Sequence, residues 1–307
     1  MTERYLQYLA SVRRYSPRTL ELYREVLEEF AAHSEGAPLS PAAVRDYEVW
    51  LLDTKGECPR TVNMHLSVLS GYCKFLMKNG VLESNPVKLV SRPKSESRLP
   101  VFYRKEAMEQ YFSATQSYVD TEDLGMKERY EARLRRLIMS LLYNTGIRRS
   151  ELVGLTRGSV DFARGVLRVR GKGDKMREIP MIPALCQEIS LYLQSVETMV
   201  GGGWTAADPL LVTLKGGKLY PVYVDRAVKR ELEGIVPGRK SPHVLRHTLA
   251  TELLDDGTDL NSIKELLGHS SLAATQVYTH NSIEKLRQVY NTAHPRAKTG
   301  EDYGNQD

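Results

Sequence analysis

The chain has 307 residues, of which 41% are hydrophobic and 26% charged, and its 43 Lys/Arg against 38 Asp/Glu give a net charge of +5. That length and mixture suit two ordinary domains with real cores and exclude a disordered chain. No apolar run approaches the ~18 residues of a membrane span, and "MTERYLQYLA" lacks the apolar segment of a signal peptide, so a cytoplasmic protein with no membrane partner is expected.

The first 95 or so residues read as helices only. A short leading helix around Tyr5 to Val12 precedes "SPRTLELYREVLEEFAAHSEG", where Ser16 caps, Pro17 takes the first position, and Leu20, Tyr23, Leu27 and Phe30 recur at helical spacing. "SPAAVRDYEVWLLDTKG" repeats the cap at Ser40 and Pro41. "CPRTVNMHLSVLSGYCKFLMKNG" carries Val62, Leu66, Leu69, Cys73 and Leu76 on one face and stops at Gly80. The segment "VSRPKSESRLP", residues 90–100, has two prolines and no apolar period, and reads as a linker.

Beyond it the pattern becomes mixed, mostly helical with a small antiparallel sheet. Helices are expected near Arg104 to Ser117 and Lys127 to Asn144, then a β-hairpin in "GVLRVRGKGDKMREIPMI", and a further strand or hairpin around "PLLVTLKGGKLY". Helical segments follow at Val222 to Gly234, Ser241 to Asp256, Asp259 to Gly268 and Leu272 to His280. In the third-last of these, Ser241 is expected to cap, Pro242 to open and Gly257 to end a helix with Leu245, Leu249, Leu253 and Leu254 as its apolar stripe. The three cysteines, Cys58, Cys73 and Cys186, form no CxxC pair and read as reduced thiols buried as small apolar residues.

Charge is unevenly spread. From Arg148 to Glu178 nine Lys/Arg stand against four Asp/Glu, an excess of five that equals that of the whole chain, so the positive field is expected to concentrate there. Within and after this stretch lie the residues able to carry chemistry. Arg148 follows a glycine-containing break between two helices, with Arg149 beside it; Lys172 sits in a glycine-flanked turn; His243, Arg246 and His247 share a helix surface; His269 follows Gly268; Tyr278 lies near the end of the next helix. His243 and His247 have the spacing of a zinc-binding pair, but Val244 stands where that motif needs glutamate and no cysteine cluster supports it. Taken singly, each of the other residues suits a solvated or packed role.

Together Arg148, Lys172, Arg246, His243, His269 and Tyr278 make three cationic groups, two imidazoles and a phenol without a carboxylate cluster to hold metal ions. A phosphodiester under attack gathers negative charge on its non-bridging oxygens, which guanidinium groups match well. A phenol with a pKa near 10 is a poor nucleophile at neutral pH unless cations and a base stand close.

In order along the chain, "TGIRRSEL", "GKGDK", "HVLRH", "LGHSS" and "VYTH" resemble the motifs of the tyrosine site-specific recombinases and integrases. "TVNMHLSVLSGYCKFLMKNGVLESNPV" is similar to the last helices of that family's core-binding domain, and "YTHNSIEKLRQVYNTAHPRA" to the bacterial Xer-type members. The resemblance implies a SAM-like, four-helix core-binding domain over residues 1–92, a linker over 93–100 and a catalytic domain over 101–296; the tail over 297–307 departs from the family pattern and is polar enough to be expected disordered.

It further implies that Tyr278 attacks the scissile phosphate, Arg148 and Arg246 bind its oxygens, Lys172 protonates the leaving 5'-oxygen, His243 manages the tyrosine proton and His269 adds a phosphate donor. Glu151 would steady Arg148, which the motif register selects over Arg149, and His247 would be structural. Neither cofactor, metal nor ATP is expected, and there is no P-loop motif. The implied partners are double-stranded DNA with a palindromic recombination site and three further protomers in a tetramer on two duplexes. The C-terminal helix, around Ser282 to Tyr290, would dock on a neighbour. The cellular role expected is chromosome dimer resolution. A second Xer-type recombinase in the tetramer and an activating DNA translocase stay open. An integrase of a phage, conjugative or transposable element is the alternative, ahead of a type IB topoisomerase or a catalytically inactive DNA-binding protein.

Overall fold

The computed structural model describes residues 1–94, 101–116, 125–171 and 174–268. The chain folds as two compact units that divide between Leu99 and Pro100. The first is helical throughout: α1 (Thr2–Ser11), α2 (Pro17–His33), α3 (Pro41–Val49) and α4 (Pro59–Lys78), with a 3-10 turn at Pro86–Leu89. Ser16 and Ser40 cap as their sequence suggests, each accepting at 3.2 Å from the backbone N–H three residues on, with proline at the first helical position behind each. Val62, Leu66, Leu69 and Cys73 of α4 are buried in one core with Leu27, Phe30, Val44, Tyr47 and Leu51, and Leu76 is buried as well. Leu20 and Tyr23 are only half-buried.

Two details of this unit depart from the sequence reading. The single helix expected after Ser40 widens into one π turn at Trp50–Thr54, which keeps Leu51 fully buried while Trp50 stacks on His33 with ring centroids 4.8 Å apart. Cys58, expected inside, is exposed because it occupies the residue just ahead of Pro59, outside the first turn of α4, where its Sγ lies 3.3 Å from the Thr61 hydroxyl. Cys186 is half-buried and Cys73 buried.

The second unit holds α5 (Lys105–Ala114), α6 (Met126–Thr145), α7 (Arg149–Gly154), α8 (Pro183–Met199), α9 (Pro221–Glu231), α10 (Pro242–Asp255) and α11 (Leu260–Leu267). Its sheet comprises β1 (Val160–Asp161), β2 (Val166–Arg170) and β3 (Met176–Pro180), in order β1-β2-β3 and antiparallel throughout. The expected hairpin is β2–β3, with Leu167 opposite Ile179 and Arg170 opposite Met176. Helix α6 is the centre: every residue from Arg136 to Thr145 is buried, and α8, α9 and α10 pack around it.

The strand or hairpin expected in "PLLVTLKGGKLY" is reduced to a minimal antiparallel hairpin, in which Val212 bridges Lys218 and the Thr213 N–H donates to the Gly217 carbonyl at 2.8 Å; a second isolated bridge joins Thr156 and Pro209. The apolar residues Leu210, Leu211, Val212 and Leu219 are nonetheless buried. Phenols satisfy the backbone that a ladder would have served: Tyr130 donates to the Val212 carbonyl at 2.8 Å, and the Val212 N–H donates to the Tyr192 hydroxyl at 2.9 Å. On α10, Leu245, Leu249 and Leu253 are buried, whereas Leu254 points to solvent at 52% exposure, since it lies on the far side of the helix from that stripe. Among the described residues no helix is long and apolar enough to cross a membrane.

Candidate active site

Helix α6 ends at Gly146, whose φ of +59° reverses the chain into the left-handed region. A Cβ at this position would lie 2.5 Å from Leu267 Cδ2 and 3.0 Å from Leu249 Cδ2. Glycine therefore serves twice: it ends α6 and lets α10 and α11 close onto the junction. Two residues later, Arg148 takes the N-cap position of α7, and it and Glu151 grip each other. The Arg148 backbone N–H donates to one carboxylate oxygen and its guanidinium to the other, each at 2.8 Å. The second guanidinium nitrogen donates to the Gly268 carbonyl at 3.0 Å. The side chain stays 32% exposed, tethered at its base and open on one side.

Arg246 projects from α10 and is 8% exposed. Its guanidinium donates to the Gly146 carbonyl and to the Leu267 carbonyl, both at 2.6 Å. Burial and the nearby charges of Arg148 and Arg177 press its pKa down to about 10, so it remains charged at neutral pH. Glu151 is its electrostatic opposite. Burial alone would raise this carboxyl, but hydrogen bonds from Arg177 and from the Arg148 backbone and side chain outweigh it and hold the pKa at about 2.

His243 stands in the first turn of α10 with its ring exposed. Partial burial, then repulsion from Arg149, Arg239 and Arg246, lowers its pKa against a smaller pull from Asp225, so the imidazole is neutral at pH 7 and able to accept a proton. Arg149 turns away from Arg148 and pairs with Asp225 of α9. His247 is exposed rather than packed, because it faces the solvent side of α10. The cap expected of Ser241 is absent: the residue is extended at the N-cap position, yet its hydroxyl is buried with no partner among the described residues, and its backbone N–H donates to the Tyr103 hydroxyl at 3.2 Å.

Lys172, His269 and Tyr278 lie outside the described residues, as do Leu272 to His280 and the C-terminal segment. Their attachment points are described. The β2–β3 hairpin turns between Arg170 and Met176, with the Gly171 N–H donating to the Lys175 carbonyl at 2.8 Å, and α11 ends in Gly268 at φ +66°.

The fold distributes the positive charge of this stretch into ion pairs. Arg164 and Arg168 both pair with Glu178, Arg168 also with Asp161, and Arg170 with Asp174, so the hairpin's arginines stand beside its own acids. One residue of that stretch escaped the sequence reading. Arg177 is 6% exposed and forms a two-pronged ion pair with Glu151 at 3.0 and 2.8 Å. The signal was there: two residues before Ile179 it falls on the inward face of β3, where a charged side chain needs a buried partner.

Residues 101–285 match the Phage integrase family model, and residues 2–80 match the Phage integrase, N-terminal SAM-like domain. The chain is 35% identical over 318 residues to a tyrosine recombinase XerC of Chlorobaculum tepidum, covering 95% of this chain and 94% of the relative. It is 34% identical over 304 residues to the tyrosine recombinase XerC of Bacillus subtilis, covering 95% of each. Among solved structures, a XerH site-specific recombinase bound to its palindromic difH substrate in a post-cleavage complex aligns with a TM-score of 0.66 at 20% identity, over 99% of this chain and 84% of that one. A lambda integrase tetramer bound to a Holliday junction aligns with a TM-score of 0.62 at 21% identity, over 88% and 74%. With family models covering most of its length and relatives of this similarity, the chain belongs to the phage integrase family and is a tyrosine recombinase of Xer type.

Proposed function

We propose that this recombinase cuts and rejoins DNA at a palindromic site through a covalent link to Tyr278. The phenolate oxygen attacks the scissile phosphorus, the bond to the 5'-oxygen breaks, and the strand is left with a 3'-phosphotyrosine and a 5'-hydroxyl. Arg148 and Arg246 bind the non-bridging oxygens, neutral His243 accepts the phenol proton, Lys172 gives a proton to the leaving oxygen and His269 supplies a further donor. A 5'-hydroxyl from another strand reverses the step, so the phosphotyrosine conserves the bond and no nucleotide is consumed.

The observation that carries this reading is the pairing of Arg148 and Arg246 on adjacent carbonyls, Gly268 and Leu267, directly ahead of His269. Two guanidiniums held side by side by one backbone segment suit the non-bridging oxygens of a single phosphate. Four protomers on two duplexes would exchange strands through a Holliday junction, in the cytoplasm, to resolve chromosome dimers, alone or with a second Xer-type recombinase.

The test is a nicked suicide duplex carrying a Xer-like palindromic site, incubated with the purified chain in EDTA and run on a denaturing gel. Wild type should give a covalent protein–DNA band; Tyr278→Phe should bind the duplex with near-normal affinity and give none. A band from Tyr278→Phe would mean another nucleophile.

A further inference from the structure

The Arg177 guanidinium has no part in the chemistry above, yet it bonds to both α7 and the end of α11, which hold Arg148 in place. From β3 it clasps both oxygens of Glu151, and its Nε donates to the Leu266 carbonyl at 3.2 Å. Arg246 takes the Leu267 carbonyl and Arg148 that of Gly268. Three guanidiniums from three elements thus occupy three consecutive carbonyls at the end of α11, groups that have no donor within their own helix. Gly268 completes the contact: a Cβ there would lie 3.0 to 3.3 Å from the Arg177 side chain. Three positive charges converge on one carboxylate, and burial first, then repulsion from Arg148 and Arg177, lowers the pKa of Arg246.

We propose that Arg177 is a positioning residue for strand cleavage. By fixing Glu151 and the end of α11 together, it presents Arg148 and Arg246 to the phosphate as a preset pair, and it ties strand β3 to the end of α11. The proposal rests on the recombinase reading of this site. Lysine cannot replace it, since one ammonium cannot span both carboxylate oxygens and a carbonyl in the planar fork that arginine offers. The charged groups facing Glu151 are Arg148 at the start of its own helix, Arg177 from β3 and Arg246 from α10. Removing Arg177 takes away a cation and two hydrogen bonds, so the Glu151 pKa rises and its grip on Arg148 fails at a higher pH than in wild type.

The experiment measures single-turnover adduct formation on the suicide duplex across acidic to mildly alkaline pH for wild type, Arg177→Lys, Arg177→Gln, Glu151→Gln, the Arg177→Lys/Glu151→Gln double variant and Arg148→Ala, with DNA affinity and thermal unfolding alongside. Arg177→Lys is expected to bind DNA normally and to cleave roughly 10- to 100-fold more slowly, the cost of a displaced catalytic group. Its rate should fall on the acid side at a higher pH and more steeply than that of wild type, whose own decline there follows protonation of His243. In the Glu151→Gln background the same substitution should cost little more, because both act through one contact. Arg177→Gln, uncharged but still a donor, reports the same contact should the lysine variant be unstable.

A wild-type rate and pH profile in the folded Arg177 variants, or a cost fully additive with Glu151→Gln, overturns the proposal. Arg148→Ala separates the two levels. If it cleaves like wild type, the recombinase reading of the site fails; if it is inactive while the Arg177 variants are normal, only the role of Arg177 fails.

Discussion

Gly146→Ala tests whether the close approach at the end of α6 sets the site. The residue sits at φ +59°, where an alanine pays roughly 1–2 kcal/mol for the left-handed backbone. Its Cβ would also stand 2.5 Å from Leu267 and 3.0 Å from Leu249, both fully or nearly buried, so α10 and α11 must give way at an overpacking cost of roughly 1–3 kcal/mol. The sum is about 2 to 5 kcal/mol. Gly257→Ala is the matched control: its φ is +84° with nothing within 4 Å of the added carbon, so it pays the backbone penalty alone. Thermal unfolding should therefore show a larger drop for Gly146→Ala than for Gly257→Ala.

The same displacement reaches the chemistry. Arg246 Cγ is 3.9 Å from the added carbon, and its guanidinium bonds the Gly146 carbonyl. A shift of about 1 Å in such a group costs on the order of 100-fold, so adduct formation should fall by that order while DNA binding persists. Equal midpoints for the two alanine variants, with a wild-type cleavage rate in Gly146→Ala, would refute the argument.

Burial lifts the Glu252 carboxyl of α10 to about 7, although the Tyr143 hydroxyl donates to both its oxygens at 2.9 and 2.8 Å. The folded chain then holds a proton that the unfolded chain has already lost, so stability falls as pH rises from about 4.5 to about 7. Urea denaturation midpoints should show that slope in wild type and a flatter one in Glu252→Gln; equal slopes would count against a buried, protonated Glu252. The cysteines should differ in reactivity. Hydrogen bonds from Thr61 lower the exposed Cys58 thiol, whereas burial pushes Cys73 up to about 11, so iodoacetamide should label Cys58 in the folded protein and Cys73 only after unfolding, as peptide mass mapping would show.

Local rules made the helices legible. Ser16 with Pro17 and Ser40 with Pro41 encode their starts within four residues, and the apolar spacing of α4 encodes its buried face. The hairpin was legible for the same reason, since alternation and a glycine-rich turn are both short-range signals. "PLLVTLKGGKLY" left the extent of its pairing open, because its apolar run says only that it is buried. Whether its backbone pairs with another strand or with the Tyr130 and Tyr192 hydroxyls depends on residues far along the chain.

Of the site, the sequence by itself determined the residue types, their order and the family they resemble, because motif residues sit at fixed offsets from the turns and helix ends that place them. The resemblance also implied that Glu151 steadies Arg148, and the two are paired at the start of α7. Only the tertiary structure decided that Arg149 pairs with Asp225, that most of the hairpin's arginines are neutralised in place, and that Arg177 shares Glu151. Each of those choices is a competition among nearby charges for a limited number of carboxylates and carbonyls. The distances that settle it exist only once α6, α7, α10, α11 and the sheet have packed together.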